Sequence, residues 1–411
     1  MSANAMLRVV VLGLTVLCLS LGATAFGQDV GAEVGVGAGI FRAKNPETKR
    51  NTKPGTGTKP GSRSSASTRA RDANLAERVE DLLDKGNEAR DARKFVEAED
   101  AYKEVLKLKA RDARAAYGLG NVYSDQQRWE EAEAAYRNSV AWAPTNADAH
   151  VALSVVLVQP RSGGDNARRF ADAEAAARKS VQIDPKNAVG WDRLGVALQA
   201  RGLANSEMEH SYRRAIELDP QFAVAYAHLA RVLNRMNRGS EAAPLYEKAV
   251  ELAKDPATLN LIADSLQGEQ LWPQSEPVLK KALELDAQNP TSLLLMGRYF
   301  LVYRRYQEAE PYLKSATEVS SRAFQPFNLL ARAYLGMDRF SDAEATYERA
   351  SELAGAGDKK QLAGVFGFEG VGDGYLKSKQ KDKAVRAYQR ALELDPNNSS
   401  AAQKLARARA N

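Results

Sequence analysis

The sequence has 411 residues, 44% of them hydrophobic and 27% charged, which allows more than one compact domain and is ordinary for a soluble protein. Its only cysteine, Cys18, lies in an N-terminal apolar run, so a chain cut after that run has no disulfide. The net charge of +6 is unevenly placed: residues 42–71 hold nine Lys or Arg against Glu47, a net +8, whereas residues 72–411 sum to −1.

Residues 1–27 have the pattern of an export signal. Arg8 precedes the apolar run VVVLGLTVLCLSLG, the next charge is Asp29, and the small residues of ATA follow the run. We therefore predict a signal peptide cleaved after Ala25 or Gly27, and an exported chain, periplasmic or extracellular. The alternative is an uncleaved anchor, because the uncharged run approaches the ~20 residues of a spanning helix.

Residues 28–72 are predicted to be a disordered basic linker. They are rich in Gly, Lys, Ser, Thr and Pro and contain almost no large apolar residue after Phe41, so they cannot bury a core. One interpretation is a solvated tether. The other is an electrostatic foothold of residues 42–71 on an anionic membrane or polymer, since each basic residue near anionic lipid contributes about 1 kcal/mol.

From residue 73 onward a pattern of about 34 residues recurs. A small residue stands at the eighth position of each copy, and these residues are Gly86, Gly120, Ser154, Gly195, Ala230, Ala263, Gly297, Ala331 and Gly372. A second small residue follows twelve positions later in most copies, and four positions after it stands a large residue such as Tyr136 or Tyr388. Spacings of three, four and seven place these residues on one face of a helix, and small residues let neighbouring helices approach closely. The pattern predicts an all-α chain of stacked helix pairs.

This pattern resembles the tetratricopeptide repeat family. One copy matches the family at five positions, which are Gly120, Tyr123, Ala132, Tyr136 and Pro144. Nine copies begin near residues 79, 113, 147, 188, 223, 256, 290, 324 and 365. The resemblance implies a right-handed α-solenoid over residues 73–398, whose concave face, lined by the first helix of each pair, binds peptides or partner proteins.

Three places depart from a regular array. The third copy has seven extra residues around QPRSGGDNA, expected to form a loop, and about seven more precede the ninth copy. Residues 399–411 are predicted to form a capping helix. Ala402, Leu405 and Ala406 are expected to cover the last pair, and Lys404, Arg407 and Arg409 to face solvent.

The first helix of the ninth copy is unusually rich in glycine. Gly372 occupies the small position of the pattern, whereas Gly367, Gly370 and Gly374 do not. Each extra interior glycine costs about 0.8–1 kcal/mol relative to alanine. We predict the least stable helix of the solenoid here, unless packing of its aromatic residues compensates.

No catalytic pattern is present, and we predict a protein that is not an enzyme. Its three histidines, which are His150, His210 and His228, lack the spacing of a metal site. There is no phosphate-binding glycine loop and no G-x-S-x-G motif. We expect no metal, no cofactor and no specific nucleic-acid partner.

Positions two, five, nine and twelve of each first helix form a stripe away from the packed face, which we call the first-helix stripe. The candidate groove residues on it are Tyr117, Asn121, Arg231, Asn234, Asn260, Asp264, Arg298, Asn328 and Arg332. Arginine offers a planar fork to carboxylates, and asparagine bonds to an extended main chain. The hypothesis is a groove for an acidic or carboxylate-ended peptide, with a row of arginines at the ninth position. In the alternative, Asp264 bridges to its neighbours and the row is a solvated face.

Some family members hold chaperone tails through a Lys-Asn-Asn-Lys-Arg clamp. Only Asn87 matches that clamp here, and Asp148 places a negative charge where a lysine is needed. The sequence therefore does not predict that ligand.

Two functions remain open. The first is an exported scaffold that holds a partner during assembly of an envelope or secretion complex, with a subunit serving a polysaccharide exporter as a special case. The second is a tethered binder, in which the basic linker docks on an anionic surface and the repeats act as a spacer.

Overall fold

The computed structural model describes residues 43–48, 63–159, 165–203 and 206–410, so the predicted signal peptide and most of the basic linker lie outside the described ranges. Within these ranges the chain has helices and turns and no strand, and the predicted all-α solenoid of repeated helix pairs is confirmed. The described helices are α1 Arg63–Asp91, α2 Phe95–Leu108, α3 Ala113–Asp125, α4 Trp129–Trp142, α5 Ala147–Leu157, α6 Asn166–Ile183, α7 Ala188–Ala200, α8 Ser206–Leu218, α9 Ala223–Arg235, α10 Gly239–Leu252, α11 Pro256–Gly268, α12 Trp272–Leu285, α13 Pro290–Val302, α14 Tyr306–Val319, α15 Phe324–Gly336, α16 Phe340–Leu353, α17 Ala356–Ala363, α18 Phe368–Lys377, α19 Lys381–Leu394 and α20 Ser399–Ala410.

The chain forms two compact units, Met1–Leu245 and Tyr246–Asn411, and the division falls inside α10. In the first unit α1–α2, α3–α4, α5–α6 and α7–α8 are packed pairs, and each second helix also packs on the next first helix. In the second unit the pairs are α11–α12, α13–α14, α15–α16 and α18–α19, followed by α20 against α19. First helices of adjacent copies also touch within each unit, as α1 and α3 or α13 and α15 do, so their stripes adjoin.

The packing within pairs follows the predicted alternation of small and large residues. A Cβ added at Gly120 would lie 2.5 Å from the ring of Tyr136, and one at Gly372 would lie 2.5 Å from the ring of Tyr388. Both tyrosines are buried. Glycine is therefore needed at these positions because the partner ring occupies the space of a side chain.

In the described turns inside the helix pairs, a left-handed residue recurs at the fifteenth position of the copy. The residues with positive φ are Arg93, Gln127, Gly202, Asn237, Gln270, Arg304, Asp338 and Lys379. Most of them are not glycine, so the tertiary packing of each pair holds a backbone conformation that these side chains disfavour. Asp and Asn caps, such as Asp112, Asn187 and Asn289, start many first helices by accepting from backbone N–H groups of the first turn.

The structure differs from the predicted boundaries at several places. Helix α1 begins at Arg63, before the expected start at residue 73, and part of the expected loop in the third copy belongs to α6. The residues before the ninth copy form an additional short helix, α17. The first helix of the ninth copy begins only at Phe368, because Gly367 takes the N-cap position and interrupts the predicted longer helix.

The predicted face of α20 is confirmed at Leu405 and was wrong at Ala402 and Ala406. Ala401, Leu405 and Ala408 are buried, whereas Ala402 and Ala406 are exposed.

The prediction that Lys404 faces solvent was also wrong. Its Nζ donates to Glu369 Oε1 at 2.7 Å and to Asp373 Oδ2 at 2.6 Å. The ion pairs hold the half-buried Lys404 side chain against α18. The expected solvent exposure of Arg407 and Arg409 is confirmed.

Among the residues with a described position, no helix combines the length and the apolar character that crossing a membrane requires.

Candidate functional site

The first-helix stripe is built around two equivalent asparagines in the first two copies. Asn87 and Asn121 lie 34 residues apart, each at the ninth position of its copy. The hydroxyl of Tyr102 donates to Asn87 Oδ1 at 2.8 Å, and that of Tyr136 donates to Asn121 Oδ1 at 2.9 Å. Because the tyrosines occupy the amide oxygens, both Nδ2 groups are free to donate on the stripe.

These two amides hold a segment of the same chain, residues 43–48. Asn121 Nδ2 donates to the carbonyl of Lys44 at 2.8 Å, and Asn87 Nδ2 donates to that of Pro46 at 3.1 Å. The segment has no regular secondary structure and lies against α1 and α3. Residues 43–48 belong to the predicted disordered linker, yet here they have defined partners.

Two arginines add further contacts to the segment. Arg90 Nη1 donates to the carbonyl of Ala43 at 2.7 Å and to Asn45 Oδ1 at 2.9 Å. Arg114 Nη1 donates to the carbonyl of Glu47 at 3.2 Å. Four carbonyls of the segment, those of residues 43, 44, 46 and 47, therefore accept from side chains of the stripe.

Carboxylates neutralise both arginines. Arg90 binds Asp125 through two nitrogens, at 2.8 and 3.1 Å. Arg114 binds Glu80 through two contacts of 2.9 Å and also reaches Asp112 at 3.2 Å. Positive charge is therefore balanced where the segment lies, and the site presents donors without a net attraction for anions.

Tyr117, a predicted groove residue, is not available to a ligand. It is 4% exposed, and its ring centroid lies 5.8 Å from that of Tyr136. Burial, aided by the nearby charge of Asp148, raises the pKa of Tyr117 well above its usual value. This residue belongs to the core between copies, and its prediction as a groove residue was wrong.

In the fifth copy Arg231 is 6% exposed and Asn234 is half-buried. Both lie on α9 in the first compact unit, whereas Arg298 and Arg332 lie in the second. The predicted row of three arginines therefore stays a prediction.

In the sixth copy the predicted groove residues bond to one another and to the next copy. Asn260 Nδ2 donates to Asn289 Oδ1 at 2.9 Å, and Ser292 Oγ donates to Asn260 Oδ1 at 2.7 Å. Both the amide nitrogen and the amide oxygen of Asn260, which is 2% exposed, are therefore already hydrogen-bonded. Asn260 therefore secures the contact between α11 and α13, and its prediction as a peptide ligand was wrong.

Arg298 is held in the same way. It forms an ion pair with Asp264, and its Nε donates to Gln267 Oε1 at 2.7 Å. The Asp264 contact expected in the alternative is present, and the solvated face expected with it stays a prediction. Arg298 is consequently not a free fork for a ligand carboxylate.

Arg332 and Asn328 are different from these. They are one turn apart on α15, and Asn328 is 5% exposed while Arg332 is half-buried. Among the described residues, Arg332 has no ion pair or hydrogen bond, and its guanidinium carbon lies 5.0 Å from the ring centroid of Phe366. Burial lowers the pKa of Arg332, as expected for a cation without a partner carboxylate. Among the described residues, Arg332 is thus a stripe position with an unbalanced positive charge.

The ninth copy ends the stripe with an acidic pair. Tyr388 donates to Asp373 Oδ1 at 2.7 Å, repeating the contact of Tyr136 with Asn121. Lys404 of α20 bridges this carboxylate and that of Glu369. The chain therefore covers its own last stripe position. No group of three or more His, Cys, Asp or Glu is placed to hold a metal ion in the described parts of the chain.

Sequence reasoning missed the contribution of Arg90 and of residues 43–48. The available signal was the repetition of asparagine at residues 87 and 121, with tyrosine fifteen residues after each. What the pattern could not indicate was that a segment of the same chain lies against these amides.

Four parts of the chain match models of the tetratricopeptide repeat: residues 83–147, 222–255, 325–356 and 366–398. The chain thus contains tetratricopeptide repeats, and these repeats support a role as a protein–protein interaction scaffold. No curated protein sequence matches it.

Solved structures with similarity to parts of the chain include MamA 41-end from Desulfovibrio magneticus RS-1, with 18% identity and a TM-score of 0.37, covering 43% of this chain and 94% of that one. The thermophilic TPR protein TTC0263 of Thermus thermophilus has 21% identity and a TM-score of 0.39, covering 46% and 99%. The Cut9–Hcn1 structure has 15% identity and a TM-score of 0.39, covering 84% and 88%. Because these scores are low, the family assignment rests on the repeat matches.

Proposed function

We propose that this chain is an exported, non-enzymatic scaffold that holds an acidic or carboxylate-ended segment of a partner protein against the first-helix stripe, in assembly of an envelope or secretion complex. Export is supported by the pattern of residues 1–27, which lie outside the described ranges. Detection of the chain beyond the cytoplasmic membrane, and its loss on deletion of residues 1–27, tests that part.

The preference for an acidic or carboxylate-ended peptide is proposed from the unbalanced charge of Arg332. A half-buried guanidinium without a carboxylate is costly, and an incoming carboxylate supplies the missing partner through two parallel hydrogen bonds. Asn328 stands one turn away to bond a main-chain group, and Phe366, 48% exposed, offers an apolar face beside the guanidinium. These groups suit a chain terminus, where a carboxylate and an apolar side chain lie together.

The test uses an array of fluorescent peptides made in pairs, with a free or an amidated C-terminus. We expect the full chain to select free carboxylates and Arg332→Gln to weaken their binding at least tenfold, about 1.4 kcal/mol. Arg298→Gln should weaken binding less, because Asp264 already neutralises Arg298. Arg349→Gln is the surface control, since Arg349 pairs with Glu352 on an exposed face.

Equal binding of free and amidated peptides, or an unchanged affinity in Arg332→Gln, would remove the carboxylate proposal. Circular dichroism and melting of each variant exclude an effect of misfolding.

A second function is favoured by the +8 charge of residues 42–71. In this alternative the linker docks on anionic lipid or polymer and the repeats act as a spacer. A pull-down with the wild-type chain and with a variant in which Lys49, Arg50, Lys53 and Lys59 are glutamine separates the two functions, because loss of every partner in that variant supports the tethered binder.

A further inference from the structure

We infer that residues 43–48 are a tethered ligand of a second, N-terminal peptide site, formed by Asn87, Arg90, Arg114 and Asn121. This site takes a neutral main chain with a small residue, an asparagine and a proline in the order found in Ala43-Lys44-Asn45-Pro46. A partner segment that uses this site must first displace the chain's own. The inference is independent of the carboxylate proposed at Arg332.

The contacts distinguish main-chain recognition from incidental packing. Two amides and two guanidinium groups donate to four carbonyls within five successive residues. The side chains of Lys44 and Glu47 are exposed, as expected for positions that a peptide site does not contact. Those of Ala43 and Pro46 are buried. Main-chain bonds of this kind provide affinity, and the buried side chains provide selectivity.

Selectivity has three visible sources. Ala43 is 6% exposed, so a charged side chain at this position would be buried at a cost. Asn45 both accepts from Arg90 and donates from Nδ2 to Asp91 Oδ2 at 2.8 Å. A proline disfavours helical conformation in the residue before it. Pro46 therefore favours an extended main chain at Asn45, in which the carbonyls on either side can accept hydrogen bonds.

The charges of the site exclude a carboxylate ligand. Asp125 balances Arg90, and Glu80 and Asp112 balance Arg114, so an added anion would meet acidic groups on both sides. Neutral carbonyls accept from the remaining N–H groups without that repulsion. This site and the position of Arg332 therefore differ in the chemistry of their ligands.

The donors are oriented before any ligand arrives. Tyr102 and Tyr136 bond the amide oxygens of Asn87 and Asn121 from the second helices of the first two pairs. A ligand therefore loses little free energy to ordering of the site. Fourteen residues separate Thr48 from Arg63, so the segment reaches the site as an intramolecular ligand at an effective concentration of order millimolar.

The experiment measures binding of a fluorescent peptide with the sequence of residues 41–50, acetylated and amidated, to the full chain. In one variant, Ala43→Glu with Asn45→Ala, the tethered segment is disabled and the stripe is unchanged. The matched control, Lys44→Ala with Glu47→Ala, alters two exposed side chains and leaves the contacting groups in place.

We expect the peptide to bind the disabled variant at least tenfold more tightly than the wild-type chain or the control. A peptide carrying Asn45→Ala should bind the disabled variant at least tenfold more weakly than the native peptide does. Asn121→Ala added to the disabled variant should also weaken peptide binding, with circular dichroism verifying the fold.

Equal affinity of the peptide for wild type, control and disabled variant would overturn the inference, and so would absence of binding to the disabled variant. Sedimentation of the wild-type chain tests whether the segment binds within its own chain. Weak peptide binding by a monomeric wild-type chain supports the inference. Weak binding only where the chain is a dimer would assign the segment to a second copy and contradict the inference.

Discussion

At Asp192 the first unit buries a carboxylate completely, at 0% exposure, between the side chains of Arg193 and His228. Arg193 Nη2 lies 2.6 Å from Asp192 Oδ2, and His228 Nδ1 lies 2.8 Å from Oδ1. Burial by itself raises the pKa of Asp192, but the charges and hydrogen bonds of Arg193 and His228 outweigh it, so the pKa is lowered. The carboxylate joins α7 to α9 and acts in stability rather than in ligand binding.

Removing this carboxylate should destabilise the first unit strongly. We expect Asp192→Ala to lower the free energy of unfolding by about 3–5 kcal/mol, because it removes the carboxylate that faces the buried guanidinium of Arg193. The control is Glu352→Ala, which breaks an exposed ion pair and should cost less than about 1 kcal/mol. Denaturant unfolding compares the two variants, and similar costs would contradict the assignment.

The lowered pKa of Asp192 also sets a direction for pH dependence. The stability that it contributes is present above the unfolded-state value near 3.8 and is lost as the pH falls through the lower folded-state pKa. Asp192→Ala should lack this component of acid destabilisation.

Gly202 supplies the left-handed position of the fourth pair, with φ at +72°, and a Cβ there would meet nothing within 4 Å. Any cost of Gly202→Ala is therefore conformational, and we expect a loss of about 1–2 kcal/mol. Gly357, in α17, also has open space around its Cβ and no positive φ. Gly357→Ala should be neutral or stabilising by up to about 1 kcal/mol. Thermal melting distinguishes them, and a stabilising Gly202→Ala would show that the turn is unstrained.

At the scale of an element, packing within the ninth helix pair accounts for the glycines of its first helix. Gly367 is the N-cap of α18 rather than an interior residue, so two extra interior glycines remain, Gly370 and Gly374. The ring of Phe340 occupies the space where a Cβ of Gly374 would lie, and Val365 O crowds that of Gly370. Phe368 and Tyr375 are buried, whereas Phe366 is half exposed and does not anchor the helix. Packing therefore requires glycine at positions where helix propensity opposes it.

We expect α18 to open more easily than any other first helix of the solenoid. Its ten residues include two extra interior glycines, which cost together about 2 kcal/mol of helix propensity. Native-state hydrogen exchange should show faster exchange in α18 than in α9 of the fifth copy. Equal protection of the two helices would mean that packing on Phe340 offsets the whole cost.

At the scale of the whole molecule, charge and binding surface are separated along the chain. Residues 72–411 sum to −1 and residues 42–71 to +8. Part of that basic stretch has a structural role, since residues 43–48 lie on the stripe and α1 starts at Arg63. The four basic residues between these parts are Lys49, Arg50, Lys53 and Lys59.

Binding of the full chain to vesicles of acidic lipid should depend on these four residues and on salt. We expect binding at low salt, loss near 1 M, where charges are screened within about 3 Å, and loss when all four are changed to glutamine. That variant keeps residues 43–48 and α1, which a deletion of the linker would remove. Neutral vesicles are the control, and salt-independent binding would exclude electrostatic binding of the linker to the membrane.

The fold class and the repeat follow from the residue pattern alone. Helical spacing, the small residue opposite a large one, and a period near 34 are local or nearly local properties, so the pairing of Gly120 with Tyr136 could be predicted. The pattern also indicated which side of each first helix carries polar groups, because that side is set by the same periodicity. Asn121 was found in this way.

The roles of those polar groups depend on contacts between parts of the chain that are distant in sequence. Arg298 and Arg332 occupy the same position of successive copies, yet one is neutralised by Asp264 of the preceding copy and the other has no such carboxylate among the described residues. The contact of residues 43–48 with the stripe joins positions as much as 77 residues apart. Hydrogen bonds and ion pairs between side chains act over a few ångströms of space, irrespective of separation along the chain, and a repeat pattern contains no record of which groups meet.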